Sequence, residues 1–233
     1  MMSFVNLPNS ADSLGLVLGA LLLGFIPGAI PFGYIAGRMQ GIDMRLVGSG
    51  NIGFTNVARV LGWRYALPVL ALDFAKGLVP AVIAGRLMNV LMGSGGSMIP
   101  ILGSDSVGLQ MLVGLGAILG HVFTPVLRFR GGKGVATTAG VVAAIAPLAF
   151  AFCCCLFLVV LALFRYLSLA SVVAVIGLPA VVLLFYPGRP IGLVLFCSLI
   201  ALVVVIRHRS NLRRLLSGTE TKFRFSGRSG SSV

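Results

Sequence analysis

The side chains able to do chemistry gather in three short runs of an otherwise apolar chain: GSGNIGFTNVAR (48–59), GHVFTPVLRFRGGKGVAT (120–137) and RHRSNLRRLLSGTE (207–220). The first holds a formal GxGxxG at Gly48, Gly50 and Gly53, with no strand before it to make a dinucleotide fingerprint. Its physics still transfers. Glycines let backbone N–H groups approach an oxyanion, and Ser49, Asn51, Thr55 and Asn56 add side-chain donors; a tight interfacial turn is the competing reading. The second run resembles a phosphate loop but is not a Walker A motif, because Gly134 rather than Ser or Thr follows Lys133. Gly131, Gly132 and Gly134 set an ammonium among backbone amides at an expected helix start, which favours anions. In the third, Leu212, Leu215 and Leu216 repeat as one face of a surface amphipathic helix, and His208 and Asn211, three apart, share another. A basic lipid-binding helix accounts for Arg213 and Arg214, less well for His208 and Asn211.

These runs are rich in anion binders and poor in acid–base groups. The only candidate bases are His121, His208, Asp12, Asp43, Asp73, Asp105 and Glu220. A His-x4-Asp pair is absent, since Val126 and Arg213 stand five residues after the two histidines. No Ser-His-acid or metal constellation is visible, and Cys153, Cys154, Cys155 and Cys197 sit in apolar stretches as packing residues. Such a site suits a reaction whose substrates bring phosphates and whose leaving group is already good. The rival class is a carrier of an anionic solute, but no internal repeat is visible and the polar groups do not fall mid-membrane.

The elements that must position these groups follow from where charge is missing. The chain of 233 residues is 58% hydrophobic and 10% charged, against about 25% charged in soluble domains. Charge-free stretches run through 13–37, 106–127, 134–164, 166–188 and 190–206, and another apolar run, 65–85, is interrupted only by Asp73 and Lys76. Spanning a bilayer takes roughly 20 apolar residues, so four of these fit one helix each. The 31 residues of 134–164 are too many for one upright helix, and Pro147 near their middle would break it. The positive-inside rule decides for two helices there. Seven crossings then put fifteen of the eighteen Lys and Arg on one side and only Arg86 and Arg189 on the other.

The expected fold is therefore an all-α polytopic membrane bundle of seven helices, amino end outside and carboxyl end cytoplasmic. The three polar runs then share the cytoplasmic face. The net charge of +13 belongs to that membrane topology rather than to nucleic acid. The first apolar segment lacks a basic n-region and reads as a retained helix, not a signal peptide. Residues 87–106, with Gly93, Ser94, Gly95, Gly96 and Ser97, read as a loop. Asp73 and Lys76, three apart in the second helix, read as a mutually neutralising pair. Residues 1–221 form one membrane-embedded domain, and 222–233 a flexible basic tail.

Taken together, GSGNIGFTNVAR, GHVFTPVLRFRGGKGVATT and RHRSNLRRLLSGTE resemble, in order, the three signature motifs of the bacterial acyl-phosphate-dependent glycerol-3-phosphate 1-O-acyltransferase family. The stretch 164–171 is similar to the family too, while Phe54 departs from the small Ala usual there. The resemblance implies a seven-helix enzyme of the bacterial inner membrane with its active site facing the cytoplasm. It implies acyl transfer from acyl phosphate to the 1-hydroxyl of glycerol 3-phosphate, the first acylation of phospholipid synthesis. It further implies lysophosphatidic acid and orthophosphate as the products, with no cofactor or metal taking part. Carried over by motif, Ser49, Arg59, Lys133, His208 and Asn211 would hold substrate phosphates, with Ser171 a further candidate. Asn51, Thr55, Asn56 and the glycines 48, 50, 53, 131, 132 and 134 would shape the pocket.

Overall fold

The computed structural model describes residues 10–92, 105–186 and 191–223, and every regular element among them is a helix. In chain order these are α1 Ser10–Gly28, α2 Phe32–Met39, α3 Phe54–Val60, α4 Trp63–Met92, α5 Asp105–Val122, α6 Val135–Ile145, α7 Pro147–Phe164, α8 Leu167–Phe185, α9 Ile191–Arg207 and α10 Arg209–Leu216. Pro147 starts α7 at a break centred on Ala146 (φ −143°), so the long apolar stretch is two helices as its proline predicts. The expected loop over 87–106 begins later, because the apolar residues 87–92 continue α4 until the first glycine. Gly93, Ser94, Gly95, Gly96 and Ser97 lie outside the described residues.

Among the described residues, five segments are long and apolar enough to cross a membrane: Leu14–Met39, Trp63–Val90, Ser106–Leu127, Pro147–Phe164 and Leu167–Phe185. A sixth is α9 if it is counted with α10, from which it bends by 60°. The chain is a multi-pass membrane protein. With 11 residues, α6 reaches only about 16 Å, well short of a ~30 Å hydrocarbon core.

The short helix is not at the lipid boundary. It packs between α4 and α5, and Thr137, Thr138, Gly140, Val141 and Val142 are buried. Val141 and Val142 join Met111 and Ile118 of α5, Leu178 and Val182 of α8, and Ile200 of α9 in the main apolar cluster. Helix approach in lipid relies on small residues, and α1 meets α5 on that principle. A Cβ on Gly24 or Gly28 would overlap the α5 backbone at Val113 or Ala117. On the other side, Gly116 and Gly120 would strike the α1 backbone at Leu21 and Phe25.

Ion pairing inside the bundle agrees with the sequence. Lys76 Nζ lies 2.7 Å from Asp73 Oδ1, and both side chains are buried. The pair does more than neutralise itself. Lys76 also donates to the Ile30 carbonyl at 2.7 Å, where the chain breaks between α1 and α2. His121 Nδ1 of α5 stands 3.5 Å from Asp73 Oδ1, and Thr137 Oγ1 of α6 donates to the Asp73 carbonyl at 3.0 Å. These contacts tie α4 to the start of α2, to α5 and to α6.

Candidate active site

The first polar run forms the loop between α2 and α3, and its geometry comes from one buried amide. Asn56 Nδ2 donates to the carbonyls of Met44 and Val47 at 3.2 and 3.0 Å, while its Oδ1 accepts from Ser49 N–H at 2.8 Å. Both N–H donors and one Oδ1 lone pair are committed inside the loop and the side chain is buried, so Asn56 positions Ser49. Gly48 sits at φ +60°, and a Cβ there would collide with Asn56 Oδ1. Gly50 also takes a positive φ of 68°, and Asn51 Oδ1 accepts from Gly53 N–H at 2.8 Å ahead of α3.

In the second run the glycines serve differently from the amide cradle that the sequence suggests. Gly131 and Gly132 donate their N–H groups to the carbonyls of Val122 and His121, each at 3.1 Å. Those two amides are committed to the end of α5 and are not available to an anion. A Cβ on Gly132 would strike His121 Nε2, and one on Gly131 the His121 carbonyl. The glycines thus permit a close crossing of backbone over α5. Their carbonyls face Arg207, whose guanidinium donates to Gly131 O at 3.0 Å and to Gly132 O at 3.2 Å. Gly134, at φ +86°, turns the chain into α6 directly after Lys133.

All three runs meet around a cavity of about 270 Å³ lined by Ser49, Asn51, Lys133, Ile206, Arg207, Arg209, Ser210, Asn211 and Arg214. Lys133 Nζ donates to Asn211 Oδ1 at 2.6 Å, and Asn211 Nδ2 donates to Glu220 Oε1 at 2.7 Å. Ser168 Oγ shares that oxygen at 2.7 Å, and Arg214 Nε holds Oε2 at 2.7 Å. Burial opposes charge on Glu220, yet these donors hold its carboxyl below the ordinary range. Burial lowers Lys133 to about 8; Glu220 opposes that shift, while Arg214, Arg59 and Arg207 add to it. One carboxylate against Lys133, Arg207, Arg209 and Arg214 leaves the cavity strongly cationic.

Of the site residues expected from sequence, Ser49, Asn51, Lys133 and Asn211 line this cavity. His208 is buried beside it, with Nδ1 2.8 Å from the Val204 carbonyl, so Nδ1 carries the proton of the neutral ring. Arg59 and Thr55 are exposed on α3 outside the lining, although the Arg59 charge is felt at Lys133. Ser171 turns away, donating to the Leu167 carbonyl one helical turn back at 2.8 Å. Ser168, one turn away, is the α8 hydroxyl that joins the polar network.

The sequence assigns no site role to Arg207, Arg209 or Ser210, reads Arg214 as part of a basic lipid-binding helix, and offers Glu220 only as a candidate base, yet all five belong to the cavity or its polar network. The available signal is Glu220, the single acid of a run that holds five basic residues counting His208. After α10 the chain folds back. Phe223 N–H donates to the Arg165 carbonyl at 2.6 Å, and its ring meets Trp63 edge-on at 5.6 Å. Trp63 in turn meets Phe54 at 5.7 Å, which gives the unusual aromatic at position 54 a packing partner.

A helical membrane bundle with a cationic cavity built from loop ends defines the class: an integral membrane protein whose cavity is built to attract anions. The sequence model of a family described as glycerol-3-phosphate acyltransferase matches residues 18–218. A relative of that name from Trichlorobacter lovleyi is 42% identical over 188 residues, covering 81% of this chain and 88% of its own length. Another, from Aquifex aeolicus, is 41% identical over 189 residues, covering 80% and 88%. The crystal structure of PlsY, described as an integral membrane glycerol 3-phosphate acyltransferase in its glycerol 3-phosphate form, superposes with a TM-score of 0.76 at 38% identity, covering 91% of this chain and 96% of that one. Its lysophosphatidic acid form gives 0.73 at 37% identity with the same coverage. The chain belongs to the glycerol-3-phosphate acyltransferase family and is an acyltransferase.

Proposed function

We propose that this chain transfers a fatty acyl group from acyl phosphate to the 1-hydroxyl of glycerol 3-phosphate, at the cytoplasmic face of the bacterial inner membrane. The observation that carries the reading is the cavity, which assembles Ser49, Lys133 and Asn211 from three separate polar runs around a cationic hollow with one carboxylate, itself fully engaged. In the reaction the 1-hydroxyl oxygen bonds to the acyl carbonyl carbon, and the bond from that carbon to the phosphate oxygen breaks. The hydroxyl proton ends on a phosphate oxygen, so no protein base is required. Lys133, Arg59 and Ser49 receive substrate phosphates through charge-assisted and neutral hydrogen bonds. Asn211 aims the Lys133 ammonium, and His208 presents its unprotonated Nε2 or packs behind the site. Catalysis is then positioning plus stabilisation of the departing phosphate.

Donor choice follows from what the site lacks. A thioester leaves as a thiolate and calls for a base to activate the acceptor, whereas a mixed acyl–phosphate anhydride is already activated. Purified protein in detergent should acylate glycerol 3-phosphate from a long-chain acyl phosphate, release orthophosphate and keep full activity in excess EDTA. Acyl-CoA and acyl carrier protein should be inert. Turnover with acyl-CoA, or a requirement for Mg²⁺, would contradict the reading. Product formation in detergent also separates an enzyme from an anion carrier.

We read the membrane path as seven crossings, with α6 and α9 added to the five full-length segments and the carboxyl end cytoplasmic. The charge asymmetry of the sequence supports that path.

A further inference from the structure

A second hollow, sharing no lining residue with the first, has a volume of about 470 Å³ and walls formed by Arg45, Leu127, Arg128 and Arg130. It sits where spans end. The segment Ser106–Leu127 finishes at its buried wall residue Leu127, and Arg45 follows shortly after the segment Leu14–Met39. Three guanidinium groups from two separate loops face one space, an arrangement that their mutual repulsion disfavours. Asp43 offsets one of them, accepting from Arg45 Nε at 2.9 Å and from its terminal nitrogen at 2.6 Å, while Tyr34 lies under the same guanidinium at 5.0 Å. Among the described residues no carboxylate pairs with Arg128 or Arg130.

The turn that carries those two arginines is unusual. Arg128 and Phe129 take φ values of 52° and 61°, two successive non-glycine residues in the left-handed region. That turn brings Arg128 and Arg130 to the hollow and leaves Phe129 63% exposed between them. Val126 at 65% and Leu46 at 83%, the chain neighbours of the wall residues Leu127 and Arg45, are exposed apolar side chains as well.

We propose that this cleft binds the phosphate headgroup of an anionic bilayer phospholipid, whose acyl chains cover Val126, Phe129 and Leu46. Guanidinium groups match phosphate oxygens in planar, bidentate fashion, and basic pockets at span ends suit anionic headgroups. A free phosphate would satisfy the arginines and leave those apolar side chains in water. A zwitterionic lipid would cover them while bringing a cation toward the arginines. Only a lipid anion meets both halves of the site. Arg130 leads directly into Gly131, Gly132 and Lys133, so an occupied cleft also steadies the loop that carries the catalytic ammonium.

The test is lipid retention by the full-length purified protein, read by native mass spectrometry from micelles holding equal phosphatidylglycerol and phosphatidylcholine. Wild type should keep phosphatidylglycerol in preference by about tenfold or more, the scale set by two surface arginines. The R128Q/R130Q variant should fall to near parity, R128K/R130K, which keeps the charge but loses the planar fork, should fall between that variant and wild type, and R86Q should match wild type. Circular dichroism guards against misfolding of the glutamine variant. A wild type without preference would overturn the proposal whatever the variants do. So would an R128Q/R130Q variant that folds and keeps the full preference, or displacement of the lipid by millimolar inorganic phosphate.

Discussion

At the residue scale the site is a set of cations whose geometry, not merely whose charge, is selected. Arg59 lies on the exposed side of α3, outside the cavity lining, and its charge is felt at Lys133. Arg59→Lys keeps the charge and loses the planar fork, so turnover in detergent should fall roughly ten- to hundredfold, the worth of a bidentate charge-assisted pair. Arg128→Lys, outside the cavity, should change turnover less than about twofold. Equal effects of the two substitutions would remove the special role of Arg59.

Lys133 yields a pH prediction with a definite sign. Burial holds its pKa near 8 in the empty cavity, so the ammonium is present below that value and scarce above it. Anions bind the protonated form. The KM for glycerol 3-phosphate should therefore stay level from pH 7 to about 8 and rise by up to tenfold per pH unit beyond. A KM that remains flat to pH 9.5 would show that the Lys133 charge does not hold this substrate.

At the element scale the second run is a packing device that also carries a functional group. Gly131 and Gly132 cross the end of α5 so closely that their amides bond to it, and the path they set delivers Lys133 to Asn211. Gly132→Ala forces a methyl into His121 Nε2, behind which stands the buried Asp73–Lys76 pair. Overpacking of this kind costs about 1–3 kcal/mol, so the midpoint of thermal inactivation should drop by several degrees and activity should fall with it. Gly177→Ala in α8, where the nearest atom is the end of the Leu156 side chain at 3.3 Å, should leave both unchanged within error. A Gly132→Ala protein as stable and active as wild type would mean that the crossing has slack.

At the scale of the whole molecule the arrangement of helices serves to bring three loop ends to one face. The seven-crossing path makes a direct prediction in a background with Cys153, Cys154, Cys155 and Cys197 replaced. Ser97→Cys should react with an impermeant thiol reagent on intact cells, and Ser217→Cys only after lysis. The reverse pattern would invert the orientation, and labelling of both on intact cells would remove a crossing.

What the sequence determined by itself was whatever depends on local composition. Charge-free length located the five full-length apolar segments, Pro147 set the break between α6 and α7, leucine spacing marked α10, and the i, i+3 spacing of Asp73 and Lys76 set their pairing. The motifs also supplied Ser49, Asn51, Lys133 and Asn211 as cavity residues. Tertiary structure decided what depends on partners distant in the chain. Whether Gly131 and Gly132 offer amides to a ligand turns on α5 lying against them, which no spacing within the run reveals. Ser168 rather than Ser171 reaches Glu220, because the register of α8 against the segment after α10 sets which hydroxyl faces it. Asn56 became a loop scaffold because the carbonyls of Met44 and Val47 converge on it across the turn. Residue type sets what a side chain is able to do; the neighbours that occupy its hydrogen bonds set what it does.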